Sequence, residues 1–319
     1  MTKISTYAAH LQTLANFRVN REAASVLGNQ LATGFKATDL SYFGNDARRL
    51  LDLRETIKRR EGYIAAIDRV APRLTAYDQT LGQIEKLGDD LSRSLGGLNN
   101  VADLAEFAPR LTQMIEDARF YLNQRFGDRY LYSGTRFATP PVGDIAALPD
   151  LPALAVSPPT NEVTSPTLPA YDAQAPGSSA DAWRTEQFVA DDGRTLSYGI
   201  TSNATAFQDL VLALRHARSA VNDPTNLGIH LGNAKAFAAA ANAAIRDLRG
   251  QLSGTQATID RFRSAHADTN AFIRSQVDAI DKADINEVAA KLIRVKTQIE
   301  ASYATTRQIA SLSLVDFLR

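Results

Sequence analysis

The residues of this sequence that could carry out chemistry are few, and their spacing favours neither a catalytic nor a metal site. No two of the four histidines share metal-ligand spacing on one helix face; they are His10, His216, His230 and His266. His266 falls inside an apolar helical seam, which favours a polar position that sets helix register or lies at the solvent edge. The sequence has no cysteine, so thiolate metal sites and disulfides are excluded.

Acidic residues recur every three positions near the C-terminal end, at Asp278, Asp281, Asp284 and Glu287. Carboxylates that converge can bind a hard cation, but steps of three drift around a helix, so we interpret this set as a solvated or lattice-facing stripe. Ser133, in the stretch LYSGT, lacks the preceding glycine that a nucleophile elbow requires. We therefore predict a protein that is not an enzyme and that needs neither a cofactor nor a metal.

The charge balance argues against nucleic acid as a partner. The 319 residues include 35 basic and 35 acidic side chains, whereas nucleic-acid binders usually carry a basic excess. No stretch approaches the ~18–20 apolar residues that a membrane span needs. The first residues, MTKISTYAAHLQTLANF, lack the basic and apolar regions of a secretory signal peptide. Neither nucleic-acid binding nor membrane insertion is predicted, and export would require another route.

Apolar residues repeat at helical spacing through both flanks of the sequence. From Leu50 to Leu98 they form ladders with seven-residue steps, which are typical of long helices with coiled-coil-like packing. A further helix is predicted over about 104–126. In the C-terminal flank, no Gly or Pro follows Gly254, and the seam predicts one helix from Thr255 to Gln308. That helix would be ~80 Å long at ~1.5 Å per residue, so it needs a partner along its length.

The N-terminal arm can supply this partner, because it carries a helical apolar stripe that ends at the turn signal of Gly34. We predict that the two arms pair and leave an apolar flank that other copies must cover. The predicted assembly interface consists of Leu11, Leu14, Phe17, Leu27, Leu31, Val288, Leu292, Val295, Ile299, Ile309, Leu312, Leu314, Phe317 and Leu318.

The middle of the sequence has a different composition. Nine of its twelve prolines lie between Pro140 and Pro176, which excludes a long helix there. Asp192-Gly193 predicts a hairpin turn between β-prone runs. Thr205 to Gln208 reads as a capping box that opens a helix, and the Asn222-Asp223-Pro224 turn ends that helix.

The predicted fold is therefore mainly α: a long coiled-coil-like helical bundle formed by the N- and C-terminal arms, with a small β-containing central insert. The predicted domains are a terminal-arm domain, a helical core domain and a Pro-rich outer insert. They comprise residues 1–45 plus 277–319, 46–139 plus 200–276, and 140–199, respectively.

Four stretches resemble the bacterial flagellin and hook-associated family of axial flagellar proteins. They are LGNQLATGFKATDL (27–40), YLYSGTRFATPPV (130–142), TLSYGITSNATAFQDLVLALR (195–215) and the segment from Val277 to the end. The resemblance covers roughly residues 1–140 and 195–319. The closing SLSLVDFLR is most similar to the hook–filament junction members of the family. Two positions depart from the family pattern: in SYFGNDARRLL, Asp46-Ala47 stands in for the usual DDP-A motif, and Lys282 replaces a usual acidic residue.

This resemblance implies a structural subunit at the hook–filament junction, on which the filament assembles. It implies unfolded export by the flagellar type III apparatus and an extracellular location in the flagellum. The implied partners are copies of the chain itself, hook-associated protein 1, flagellin and a type III export chaperone. A filament-forming flagellin and a generic secreted coiled-coil adaptor are alternatives. A hydrolase in the 140–200 insert is a third, although that segment contains no histidine.

Overall fold

A computed structural model describes residues 2–98, 100–134, 136–138, 140–154 and 184–317. Within these ranges the chain forms six α-helices and two small antiparallel hairpins, which confirms the predicted mainly-α fold. The elements in chain order are α1 (Thr2–Thr33), α2 (Asp46–Gly97), α3 (Val101–Leu122), β1 (Arg125–Phe126), β2 (Arg129–Tyr130), β3 (Glu186–Asp191), β4 (Arg194–Tyr198), α4 (Thr205–Asn222), α5 (Leu227–Asp281) and α6 (Ile285–Phe317).

The chain divides into two compact units. The terminal unit comprises Met1–Arg59 and Asp268–Arg319, and the central unit comprises Arg60–Ala267. Both α2 and α5 contribute residues to each unit. The predicted division into three domains, with boundaries at 45, 140, 200 and 277, stays a prediction.

In the terminal unit, α1 packs against α6, which confirms the predicted pairing of the two arms. The helix α1 ends at Thr33 because Gly34 adopts a φ of 76°, a conformation that glycine reaches without strain. A small apolar core of Leu50, Ile273 and Val277 joins the first turns of α2 to the last turns of α5.

In the central unit, α2 to α5 surround one continuous apolar core, which also takes in Leu131, Tyr132, Val142 and Ile145. Ion pairs show that α2 and α5 run antiparallel, because the residue numbers of the partners decrease along α5 as they increase along α2. They are Asp68–Arg263 at 2.9 Å, Asp78–Arg249 at 3.2 Å and Glu85–Arg246 at 3.0 Å. Exposed ion pairs contribute about 0–1 kcal/mol each, so core burial supplies most of the stability.

The strands β3 and β4 form the hairpin that the sequence predicts at Asp192-Gly193. Glu186 pairs with Tyr198, and Gly193 has a φ of 68° at the turn. A bulge between Val189 and Asp191 shifts the register. The remainder of the predicted insert, residues 155–183, lies outside the described residues.

The predicted capping box at Thr205–Gln208 is wrong. Ala204 is the N-cap of α4, and no side chain caps this helix. The Gln208 amide donates instead to the backbone carbonyl of Asn203 at 2.5 Å. A capping box does occur at the start of α3, where Asn100 and Asp103 bond reciprocally. The predicted end of α4 at the Asn222-Asp223-Pro224 turn is confirmed.

The predicted uninterrupted helix from Thr255 to Gln308 is also wrong. The helix breaks after Asp281, and α6 begins at Ile285 although neither Gly nor Pro intervenes. The break has a tertiary cause. Phe35 forms an antiparallel bridge with Lys282, and the N–H of Ala283 donates to the Gly34 carbonyl at 2.9 Å. The bond to Gly34 takes the place of a helical one at Ala283, whereas the N–H of Lys282 still donates to the Asp278 carbonyl at 2.9 Å.

Among the residues that the structure describes, no helix combines the length and apolarity that crossing a bilayer requires.

Candidate assembly interface

The paired arms separate the predicted interface residues into two groups. The first group lies at the contact between α1 and α6 and is buried or half-buried there. Val288 is buried, and the Phe17 ring meets the Tyr303 ring edge-on with centroids 4.9 Å apart. This group consists of Phe17, Leu27, Val288, Leu292, Val295 and Ile299. Its members hold the two arms of one chain together.

The second group is exposed to solvent. Leu11, Leu14 and Leu31 are 49%, 45% and 39% exposed. Covering a large apolar side chain completely contributes about 1.5–3 kcal/mol, so several such residues on one helix favour association with another surface. These residues are the part of the predicted interface that the paired arms leave exposed.

The remaining predicted residues are not described in full. Ile309, Leu312, Leu314 and Phe317 lie on the backbone of α6, but their side chains are outside the described residues, and Leu318 is outside them altogether. Their place in the interface stays a prediction.

The structure also exposes apolar residues of the arms that the sequence reasoning missed. The largest exposures are 63% at Val19, 66% at Ile293 and 59% at Tyr303; Val26 is also exposed. Val19 and Val26 are seven residues apart, and this spacing was a signal for a second stripe on α1. We define the outer arm face as Leu11, Leu14, Val19, Val26, Leu31 and Ile293.

The segments at Gly34–Lys36 and Asp281–Asp284 form one hydrogen-bonded junction. The N–H of Lys36 donates to the Asp281 carbonyl at 2.7 Å. Its ammonium donates to the carbonyls of Ala279 and Ile280 at 3.0 and 2.7 Å, which satisfies the C-terminal end of α5. The Asp284 carboxylate accepts from the N–H groups of Asn286 and Glu287 and so caps α6.

The acidic stripe is therefore not simply solvated. Asp281 is buried and accepts from the Arg54 guanidinium at 2.7 Å. Asp278 pairs with Lys282, and Glu287 pairs with Lys291. The carboxylates serve separate partners, and the described residues hold no group of three or more His, Asp or Glu that could bind a metal ion.

A groove of about 340 Å³ lies where α1 ends and the chain continues towards α2. Exposed apolar residues line it, chiefly Val26, Phe35 and Tyr42. Its charged groups have internal partners: Lys36 bonds to α5, and the Asp39 carboxylate accepts from the Ser41 N–H, which lowers the pKa of Asp39. The groove thus extends the apolar surface of the terminal unit.

Two other candidate sites have structural roles. His266 is buried, with Nε2 2.8 Å from the Ala190 carbonyl and Nδ1 3.2 Å from Arg60, so it ties β3 to the helices and is not at the solvent edge. The Ser133 hydroxyl is likewise committed, because it donates to the Tyr130 carbonyl at 3.0 Å. These contacts stabilise the fold and present no reactive group.

The stretches that leave and re-enter the helical core come together around Tyr132. The Ser202 N–H donates to the Tyr132 carbonyl at 2.9 Å, and the Tyr132 ring meets Tyr77 and Phe207 edge-on. The Tyr77 hydroxyl donates to the Leu131 carbonyl. Burial raises the pKa of both tyrosines well above its usual value, so neither ionises in the folded protein.

No protein-family model and no curated protein matches the sequence. Solved structures do match in three dimensions. A protein of Vibrio parahaemolyticus assigned to the flagellar hook-associated proteins aligns with a TM-score of 0.55 and 12% identity, over 76% of this chain and all of that one. FlgL of Bacillus cereus aligns with a TM-score of 0.49 and 13% identity, over 72% of this chain and 98% of that one. The Vibrio match confirms the resemblance at the level of the fold: this chain has the fold of that hook-associated protein.

Proposed function

We propose that this protein is a structural subunit of the bacterial flagellum, located at the hook–filament junction in the role of hook-associated protein 3. The outer arm face carries the proposal. A chain that pairs its own terminal helices and still exposes large apolar side chains along them is suited to packing beside other chains.

Two further observations support this role. The fold is shared with the Vibrio hook-associated protein, and the closing SLSLVDFLR resembles the junction members of the family. Within the described part of the chain, the candidate reactive groups of Ser133 and His266 are engaged in structural hydrogen bonds, and no cluster suited to a metal ion occurs. Both observations favour a non-enzymatic subunit.

The proposed partners follow from the position at the junction. Copies of the same chain flank it laterally, hook-associated protein 1 lies on its hook side, and flagellin lies on its filament side. Export proceeds in an unfolded state through the flagellar type III apparatus, with a chaperone covering the C-terminal arm beforehand. The assembled protein is extracellular.

A deletion strain tests this role directly. Electron microscopy should show hooks without filaments, and immunoblots of the medium should show flagellin shed as monomer, because the filament has no base on which to assemble. Expression of the full chain from a plasmid should restore filaments.

Other outcomes would identify other roles. Hooks that lack filaments, with no flagellin in the medium, would contradict the junction role and identify this chain as the filament subunit. Normal filaments would contradict both roles and favour a secreted coiled-coil adaptor.

A further inference from the structure

Two histidines that lie 14 residues apart in the sequence meet in the core of the central unit. His216 on α4 and His230 on α5 are both buried, and their Nδ1 atoms are 3.4 Å apart. The His216 ring also stacks on Phe237, with centroids 5.7 Å apart and planes inclined by 11°. The pair therefore joins the C-terminal half of α4 to the beginning of α5.

A contact between two Nδ1 atoms is a hydrogen bond only if one carries a proton and the other does not. Asp223 favours one of the two arrangements, because its carboxylate lies 4.0 Å from Nε2 of His230 and attracts a proton there. Neutral His230 then has a bare Nδ1, which accepts from the Nδ1–H of His216. In this arrangement both imidazoles are neutral, and each has a defined tautomer.

We propose that the His216–His230 pair is an acid-sensitive latch that fastens the C-terminal end of α4 to the beginning of α5. With His216 in this tautomer, an added proton on Nδ1 of His230 would place two N–H donors face to face with no acceptor between them. A proton on the other nitrogen of His216 would place an imidazolium in the core, where ions are poorly solvated.

The charged groups around the pair do not remove this cost. Arg215, also on α4, adds a second buried cation, and its guanidinium is already bonded to the Pro149 carbonyl at 2.8 Å. The Asp223 carboxylate lies on the His230 side of the pair, 4.0 Å from Nε2. Burial, and then the proximity of His230 and Arg215, lowers the pKa of His216 from 6.5 to about 4.

Acid therefore loosens the latch. Since His216 binds protons more readily in the unfolded chain, its contribution to stability is complete above about pH 6.5 and is lost as the pH falls towards 4. At pH 5 this one group should raise the unfolding equilibrium constant about 30-fold relative to pH 7.5. The helix affected matters to the whole unit, because most of α4 is buried.

Histidine-selective ¹⁵N NMR of the native full chain tests the proposal, and variants serve only to assign the signals. His216 should show a neutral Nδ1–H tautomer at pH 7 and titrate near pH 4, and His230 should show the Nε2–H tautomer. His216→Phe assigns the signal. His266→Gln, which removes a buried histidine outside the pair, should leave the signal unchanged. Titration of His216 near pH 6.5, or an Nε2–H tautomer at this residue, would overturn the latch.

Urea unfolding provides the second readout. His216→Phe keeps a ring beside Phe237 but cannot bind a proton. When the pH is lowered from 7.5 to 5, its folding equilibrium constant should therefore fall about 30-fold less than that of the native chain. Equal losses in the two proteins would overturn the proposal, and a larger loss in the native chain supports it.

Discussion

At Gly88, α2 packs so closely against Asn242 of α5 that no side chain fits between them. A Cβ atom built there would lie 2.0 Å from Oδ1 of Asn242, whose Nδ2 bonds to Ser92 at 3.1 Å. Gly88 lies seven residues after Leu81 and seven before Leu95, within a heptad ladder of α2, but the reason for a glycine there is a contact with α5. The close approach depends on a residue more than 150 positions away, which periodicity along α2 alone cannot reveal.

Gly88→Ala should therefore destabilise the protein although it improves helix propensity. Asn242 would have to rotate and lose its bond to Ser92, at a cost of about 1–3 kcal/mol. The matched control is Gly62→Ala on the same helix, where a Cβ meets nothing within 4 Å. That change should stabilise by about 0.5–1 kcal/mol. Urea unfolding monitored by circular dichroism measures both, and equal shifts of the same sign would contradict the proposed clash.

The helices themselves were predictable because burial imposes a strict period on them. The seam Val288, Leu292, Val295 and Ile299 identified α6, and the stripe containing Phe17 and Leu27 identified its partner. The break at residues 282–284 was not predictable by the same reasoning. It arises from hydrogen bonds with Gly34 and Lys36, which no local signal for helix termination reports.

The cap of α6 gives a prediction at this scale. Asp284→Ala removes the acceptor for the N–H groups of Asn286 and Glu287, so the first turn of α6 should fray at a cost of about 0.5–2 kcal/mol. Hydrogen–deuterium exchange should increase in the peptide that spans residues 285–290. Asp278→Ala, which removes only an exposed pair with Lys282, is the control and should leave that peptide unchanged. Unchanged protection in Asp284→Ala would show that the cap is dispensable.

Across the whole molecule, the pattern of exposure explains more than any single site does. The apolar positions on the arms were predicted as one interface. The structure assigns some of them to the pairing of α1 with α6 and leaves others exposed on the outer arm face. Sequence periodicity could not make this distinction, because both groups follow helical spacing and only the position of the partner helix separates them.

The double variant Leu11→Asp, Leu14→Asp places two charges on the outer arm face. Each would have to be desolvated against an apolar neighbour, so assembly should fail while the circular dichroism spectrum stays that of the native chain. Produced in the deletion strain, this variant should leave hooks without filaments. Asn16→Asp, a charge at an exposed polar position of α1 outside the outer arm face, should support more filaments than the double variant. Normal filaments in the double variant would exclude these residues from the interface.

The most direct measurement uses the absence of cysteine from the chain. A single Leu14→Cys variant, produced in the deletion strain, would be labelled with a fluorescent maleimide both as purified monomer and in isolated flagella. Arg194→Cys, at an exposed position beside the hairpin turn, provides the comparison. We predict recovery of the Leu14→Cys protein with hooks and filaments, with its introduced thiol labelled at least tenfold more slowly there than in the monomer. Equal labelling in both states, or absence of the protein from isolated flagella, would contradict the proposal that assembly covers the outer arm face.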